Sequence, residues 1–300
     1  MLKRTCLIGI LIACTSLAGL AWAGADPADD EFFQEAQRTG AESDYEAYLK
    51  AYPEGTHAAQ AKEGLKRYED QAKRREDQAW QGASAANTSA ALGAYLAMYP
   101  QGRYAKLALF KLDKLPLPPF EMVVIPGYHY EIGRYKITLA QWVAVMGRDN
   151  SHFIGMDRPV DSVSWDDVQT FLNKLNARSG RQYRLPTEAE WKIACDGGES
   201  HEYCGSDNVN AVAWYSGNSN HQTHPVGQKQ PNGYGLYDMS GNVWEWTQDC
   251  RDVGDCSQRV VRGGGWEGNP VDVRAASRIR FPPSDRLFSL QGFRIARTQP

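Results

Sequence analysis

The hydrophobic positions of this chain follow two patterns, which meet near residue 115. Residues 26–115 carry Ala, Leu and Tyr at helical spacing, whereas the chain after 120 combines short helical segments with short apolar runs and Gly- and Asn-rich turns. The first pattern is typical of amphipathic helices, and the second of an irregular α+β domain. The segment 116–120 is rich in proline, which favours a stiff spacer. We therefore expect a helical region at 26–115, a linker at 116–120 and an α+β domain at 120–298.

The helical region contains a repeat. The segment Tyr48–Gly55 recurs as Tyr95–Gly102, at an offset of 47 residues. Each copy predicts a helix that ends at Tyr-Pro, a turn through Gly and a second Ala-rich helix. The two hairpins resemble the short tetratricopeptide-like repeats of bacterial envelope proteins, and we expect them to pack on each other, on the second domain or on a partner. The charged run 67–77 predicts a solvent-facing helix surface or a connector, and not a binding site.

Three helices are predicted in the second region from their start signals. Thr138, Ser164 and Thr187 are each followed three residues later by Gln, Asp or Glu, which is the pattern of a capping box before an apolar helical face. A short strand at 122–125 precedes them, and short strands and long loops follow Gly205.

The first 23 residues have the composition of a secretory signal peptide. Lys3 and Arg4 precede an apolar run, and Ala-Trp-Ala at 21–23 is a cleavage site. Two alternatives remain: a membrane anchor, and lipid attachment at Cys14. Cleavage predicts a periplasmic or secreted chain without a transmembrane span. The net charge of −3, without clustered positive charge, argues against a nucleic-acid partner.

Four cysteines lie outside the predicted signal peptide, and an even number in an exported chain predicts disulfides. Of the three possible pairings we favour the local pairs, Cys195 with Cys204 and Cys250 with Cys256, because each spans a Gly- and Asp-containing loop.

The segment 231–246 carries the most specific motif. Asn232-Gly233 and Gly241-Asn242 predict turns. The side chains of Asn242 and Glu245, with carbonyls of neighbours such as Gly241 and Val243, would form the all-oxygen site that Ca²⁺ prefers.

This segment resembles the Gly-Asn-x-Trp-Glu-Trp signature of formylglycine-generating enzymes, the sulfatase-modifying-factor family. Further landmarks of that family occur in its order over about residues 120–298, at 159–165, 183–191, 224–227, 259–266, 274–278 and 292–297. The resemblance implies an irregular α+β fold related to C-type lectins. It also implies a structural Ca²⁺ near Asn242 and Glu245.

The chain departs from the family where the enzyme has its copper-binding cysteine pair. Gly265 stands at the motif serine, Gly268 at the first cysteine, and 271–273 covers the second. Without a thiol there, we expect neither copper nor formylglycine generation. The polar groups left near this degenerate site are Glu267, Asn269, Asp272 and Arg274.

Two functions follow as hypotheses. The first is a calcium-stabilised module of the cell envelope that binds a protein or peptide partner, in signalling or secretion control. The second is a cysteine-independent periplasmic oxidoreductase acting on a peptide or siderophore precursor. A buried cluster of Glu267, Asp272 and Arg274 would favour the enzyme, and a shallow aromatic-lined surface would favour binding.

Overall fold

The computed structural model describes residues 26–149, 151–252 and 254–299. The predicted signal peptide, with Cys14, lies outside the described residues. In the part of the chain that is described, no helix is long and apolar enough to cross a membrane. The chain divides into two compact units at the bond between Arg75 and Glu76, inside a helix.

The first unit is helical. It contains α1 (Pro27–Thr39), α2 (Glu42–Ala51) and the beginning of α3 (Ala58–Ala86). Asp26 caps α1 by accepting a hydrogen bond from the amide of Ala28, and Gly40 ends the helix in the left-handed conformation. Phe33, Tyr48 and Ala61 belong to the small core of this unit.

The second unit begins with the end of α3, followed by α4 (Ser89–Met98) and α5 (Ala105–Lys114). One hydrogen-bond network joins them: the Tyr95 hydroxyl donates to Glu76 Oε1 at 2.8 Å and accepts from the amide of Tyr104 at 3.2 Å. The amide of Arg103 donates to the same carboxylate at 2.6 Å. The first unit has the same network 47 residues earlier, in Asp29, Tyr48, Thr56 and His57.

The repeat is therefore a three-helix unit that begins upstream of the Tyr-Pro motif. Its acidic residue, Asp29 or Glu76, lies on the first helix and holds the turn between the second and third. Glu76 is only 9% exposed, so the prediction that the run 67–77 faces solvent is wrong at this residue. Its burial is offset by three hydrogen-bond donors.

The second repeat packs on the C-terminal region, one of the three arrangements that the sequence left open. Leu92, Leu96 and Ala108 share a hydrophobic core with Trp142 and Val143. The segment 116–120 lies along this core and not between two separate ones, because Leu117 and Phe120 pack against it.

The C-terminal region is a mixed α+β fold, as predicted, and its elements are short. The helices are α6 (Leu139–Met146), α7 (Trp165–Ser179), α8 (Glu188–Asp196) and α9 (Val209–Val212). The strands are β1 (Met122–Val124), β2 (Tyr130–Gly133), β3 (Ala213–Trp214), β4 (Ser240–Gly241), β5 (Trp244–Asp252), β6 (Asp255–Arg262), β7 (Arg278–Phe281), β8 (Gln291–Gly292) and β9 (Ala296–Thr298).

The strands of the described residues form three small sheets. One has the order β1-β2-β9 and is antiparallel, and β3 pairs with β4 in parallel. The third has the order β7-β6-β5-β8, in which Trp246 lies opposite Val261 and β8 runs parallel to β5. The long connections between these short strands leave the loops to form the surface of the domain.

All three predicted capping boxes are confirmed. The capping residues are Thr138, Ser164 and Thr187. The side chain of each accepts from the amide of the third helical residue, and the side chain of that residue accepts from the amide of the capping residue. Each helix then ends at a glycine in the left-handed conformation, namely Gly147, Gly180 and Gly197.

Candidate functional site

A cleft of about 440 Å³ opens beside the loop that follows α6. Its walls are formed by Ser151, His152, Ser162, Arg286 and Phe288, and we call it the aromatic cleft. The Phe288 side chain is 69% exposed, so its ring faces solvent at the mouth. Exposed aromatic and arginine side chains are the types that protein-binding surfaces are enriched in.

A row of aromatic rings leads from the cleft to the degenerate site. The ring of His152 lies 4.1 Å from that of Phe288 and 4.6 Å from that of Phe153, measured between centroids. Phe153 in turn makes an edge contact with Trp266, at 5.5 Å. Since Trp266 belongs to the segment where the enzyme family has its cysteines, the cleft adjoins the predicted catalytic region.

A buried carboxylate holds the cleft loop. Asp161 accepts hydrogen bonds from the amides of His152 and Phe153 at 2.7 and 3.2 Å, and from the Ser162 hydroxyl at 2.7 Å. Burial raises the pKa of the Asp161 carboxyl, although these donors favour its ionised form. The loop is thus fixed from beneath, and its side chains need little ordering to bind a ligand.

Two serines at the back of the cleft have the left-handed backbone conformation that non-glycine residues rarely adopt. They are Ser162, with φ of 57°, and Ser289, with φ of 60°. The amide of Ser289 donates to the Ser162 hydroxyl at 3.0 Å, and the Trp266 indole donates to the Ser289 carbonyl at 2.9 Å. Such residues cost about 1–3 kcal/mol each and cluster at functional sites, where surrounding contacts hold them.

The cleft also contains a fixed cation. The Arg286 guanidinium donates to both oxygens of Asp167, at 2.6 and 2.8 Å, while half of its side chain stays exposed. Burial opposes the ionisation of Asp167, but hydrogen bonds from Arg286 and Ser164 hold the pKa of this carboxyl below its usual value. The aromatic cleft can therefore offer a planar positive group to an acidic ligand.

The polar residues of the degenerate site do not converge. Asn269 and Asp272 bond each other within one turn: the Asn269 amide donates to Asp272 Oδ2 at 2.8 Å, and the Asp272 amide to the Asn269 carbonyl at 2.9 Å. Arg274 instead pairs with Glu202, at 2.7 Å, and Glu267 is exposed.

Two glycines of this segment lie where the resemblance places the motif serine and the first cysteine, namely Gly265 and Gly268. A side chain at Gly265 would meet Trp244, 3.3 Å from an added Cβ, and one at Gly268 would meet Asp272 at 3.0 Å. The local pairing of the four cysteines is confirmed: Cys195 is bonded to Cys204, and Cys250 to Cys256. None of these four thiols is left free for the site.

The predicted calcium ligands have other partners. Asn242 Oδ1 accepts from the amide of His224 at 3.1 Å, and its Nδ2 donates to the carbonyl of the same residue at 3.0 Å. The neighbouring residues Gly241 and Val243 are buried. The Asn242 side chain thus closes a loop through both of its polar atoms.

Glu245 lies among cations. Lys136 Nζ donates to Oε1, Arg294 donates to Oε2 at 2.7 Å and Oε1 at 2.9 Å, and the Trp191 indole donates to Oε2 at 2.9 Å. Burial alone would raise the pKa of Glu245, but Arg294 and Lys136 hold it below its usual range. These residues do not fit a calcium site, because two fixed positive charges already adjoin the carboxylate. In the described residues, no group of three His, Cys, Asp or Glu could hold a metal ion.

Comparison with known proteins identifies the family. Residues 101–299 match the sulfatase-modifying factor enzyme 1-like domain. The chain belongs to this family. The match begins inside the second repeat, which is the part of the helical region that shares its core with the C-terminal fold.

Relatives within the family differ in what they are named for. The chain is 31% identical over 229 residues to a chaperone protein LppX of Paenibacillus barcinonensis, which covers 57% of this chain and 80% of that protein. It is 34% identical over 159 residues to an inactive C-alpha-formylglycine-generating enzyme 2 of Bos taurus. That match covers 47% of this chain and half of the bovine protein.

The fold is shared with solved structures of the same kind. Treponema denticola variable protein 1 superposes with a TM-score of 0.54 at 29% identity, over 62% of this chain and 94% of that one. The predicted fold class, a C-type-lectin-related formylglycine-generating-enzyme fold preceded by helices, is confirmed.

Proposed function

We propose that this protein is an exported, non-catalytic member of its family that captures a protein or peptide segment in the aromatic cleft. The observation that carries the proposal is the exposed ring of Phe288 beside the fixed guanidinium of Arg286. Aromatic and arginine side chains at the centre of a preformed concave surface carry most of the binding energy in protein interfaces.

The chemistry of the ligand follows from the walls of the cleft. Phe288 and His152 offer flat ring faces, and Arg286 offers a carboxylate the N–H groups that do not bond Asp167. A segment with an aromatic or aliphatic side chain next to an acidic group therefore fits this surface. Two relatives support the choice of binding over catalysis, since one is named a chaperone and another inactive.

The dispersed polar groups weigh against the alternative of a cysteine-independent oxidoreductase. Asp272 is used in a turn and Arg274 pairs with Glu202, so these two side chains do not form an acid–base pair with each other. The two disulfides are stable in an oxidising compartment outside the cytosol, and the predicted signal peptide would direct the chain there. We keep an envelope partner as part of the proposal.

The second repeat supplies a further contact surface. Leu107 and Phe110 are 46% and 62% exposed on α5. At the equivalent positions the first repeat has Gln60 and Glu63, both exposed. The repeat fold therefore does not require apolar residues there, and a partner that covers them is a simpler reason for their presence.

The test uses photo-crosslinking in cells. p-Benzoylphenylalanine replaces Phe288 in the full chain, and the matched control carries it at Tyr128, another half-exposed aromatic outside the cleft. We expect adducts with an envelope protein at position 288 only. Equal adducts at both positions, or none at 288, would contradict the proposal.

A binding measurement then follows with the captured segment. Phe288→Ala should weaken affinity about tenfold or more, as for a typical aromatic hot spot. Its melting temperature should not change, because the ring is 69% exposed. Tyr128→Ala is expected to alter affinity less than about twofold, within the range of surface substitutions. Formation of aldehyde on a sulfatase-derived cysteine peptide by the wild-type chain would refute the non-catalytic assignment.

A further inference from the structure

The region where the resemblance implied a bound metal contains a buried lysine. Lys136 lies two residues before the capping box of α6 and is completely buried. The chain around it is tied on both sides: the Ile137 amide donates to the Phe293 carbonyl, and the Val160 amide to the Ile137 carbonyl, each at 2.9 Å. Its ammonium donates to Glu245 Oε1.

Four charged residues meet here, and we call them the charge cluster: Lys136, Asp238, Glu245 and Arg294. Each is at most 1% exposed. Arg294 also donates to the carbonyls of Gly133 and Tyr237, both at 2.8 Å, so the guanidinium bridges separate segments of the chain. Unpaired charges are not tolerated at such depth, so the balance of the cluster decides what it can accept.

Burial raises the pKa of the Asp238 carboxyl, whereas the charges of Lys136 and Arg294 favour its ionised form. With both acids ionised, the charge balance is complete. Two carboxylates face one ammonium and one guanidinium, which leaves no net charge. A divalent cation added to this neutral set would bring two uncompensated charges into a site closed to water. Even a singly charged side chain costs several kcal/mol to desolvate in a real protein, and a divalent ion costs more. Asp238 Oδ2 accepts a hydrogen bond from the Gly227 amide at 2.7 Å, and Oδ1 has no hydrogen-bond partner among the described residues.

We infer that Lys136 is a built-in cation that replaces a metal ion in the segment 238–245. Its ammonium holds Glu245 in the position in which a bound divalent cation would otherwise hold it. The wild-type protein then needs no calcium at this place. Removal of the lysine side chain leaves Glu245 and Asp238 facing a cavity with a net negative charge, which is the composition of a cation site.

The experiment compares thermal unfolding of the mature chain in EGTA and in 2 mM Ca²⁺, the latter being about the highest concentration at which weak protein sites fill. Wild-type protein should melt at the same temperature in both. Lys136→Ala should melt roughly 10 °C lower in EGTA, since it strands a buried charge. Ca²⁺ should restore at least half of that loss. The control Lys192→Ala removes a half-exposed lysine paired with Asp196 and should shift neither curve by more than about 2 °C.

Two further measurements make the result specific. In Lys136→Ala/Glu245→Gln, the calcium-dependent rise should disappear, because the carboxylate that would bind the ion is gone. Hydrogen exchange of wild-type peptides covering 236–246 should be unchanged by EGTA, a measurement that does not depend on any variant folding. A rise that survives in the double variant, a Lys136→Ala curve that ignores Ca²⁺, or loss of wild-type protection at 236–246 in EGTA would each overturn the inference.

Discussion

The network repeated in the two helical units allows a quantitative prediction for Tyr95→Phe. The variant removes one hydroxyl that donates to Glu76 and accepts from the Tyr104 amide. Burial and the Glu76 carboxylate raise the pKa of Tyr95 to about 12, so the hydroxyl is neutral and acts as a donor at any ordinary pH. The Glu76 side chain is 11% exposed, which leaves little room for water to take its place.

The expected cost is about 2 kcal/mol of unfolding free energy, the range for a hydrogen bond to a charged group. In a unit of this size that corresponds to a fall of about 4–8 °C in melting temperature. Tyr99→Phe is the matched control, because Tyr99 stacks on Tyr95 at 5.4 Å but its hydroxyl makes no hydrogen bond within the described residues. It should change stability by less than about 0.5 kcal/mol.

A double-mutant cycle and a pH series identify the partner. Tyr95→Phe and Glu76→Gln together should cost less than their sum, because one removes the hydroxyl and the other removes the negative charge that strengthens the same bond. Burial would raise the pKa of Glu76, but hydrogen bonds from Tyr95 and Arg103 keep it below the usual 4.5. The stability it contributes is therefore complete above that pH and lost as pH falls below it, so the gap between wild type and Tyr95→Phe should narrow in acid. Additive costs, or a loss no larger than that of Tyr99→Phe, would refute the reasoning.

Two more predictions concern the C-terminal region. Alanine at both Cys195 and Cys204 should cost about 3 kcal/mol of unfolding free energy, because a short closed loop and two buried side chains are lost; unfolding curves measure this cost. Mild reductant should first open the bond between Cys250 and the exposed Cys256, which alkylation with mass spectrometry would detect. Because its carboxyl pKa is lowered in the folded protein, Asp167 stabilises the fold above about pH 3.8 and loses this effect as the pH falls below that value. In a pH series of melting temperatures, wild type should therefore lose more stability in acid than Asp167→Asn.

Local features of the fold could be predicted from the sequence because their signals lie within a few residues. A capping box is recognisable from four positions, and Thr138, Ser164 and Thr187 all behave as their neighbours indicate. The disulfides are likewise local, spanning 9 and 6 residues. In each case the side chains that meet are also close along the chain.

The charge cluster could not be predicted in this way. Lys136 meets Glu245 across 109 residues, and Arg294 meets Glu245 across 49. The segment around Glu245 looked like a calcium site because oxygen ligands were visible and the distant cations were not. One signal was present in the sequence: Arg294 lies in a segment that resembles a family landmark, and an arginine that is buried requires an acidic partner.

The acidic residue of each repeat was missed for a different reason. The residues that recur around Tyr-Pro predict only the second and third helices of each unit. Asp29 and Glu76 differ in residue type and lie 19 residues upstream of their tyrosines. Extending the offset of 47 residues backwards would have aligned them, together with Phe33 and Trp80. Those two rings both stack on the residue after the turn, at 4.5 and 5.2 Å.

The backbone of the segment 265–273 is held in place without a side chain at Gly265 or Gly268. The segment is held by hydrogen bonds to its own backbone atoms: the Trp266 amide donates to the Asn242 carbonyl at 2.9 Å, the Ser219 hydroxyl to the Trp266 carbonyl at 2.9 Å, and the Ser216 amide to the Gly268 carbonyl at 3.0 Å. None of these bonds involves a side chain at the positions where the enzyme has its thiols. Glycine at 268 is therefore compatible with the local fold, and Trp266 keeps its edge contact with Phe153. A surface that is held in this way needs little reorganisation to bind a partner, as we propose for the adjoining aromatic cleft.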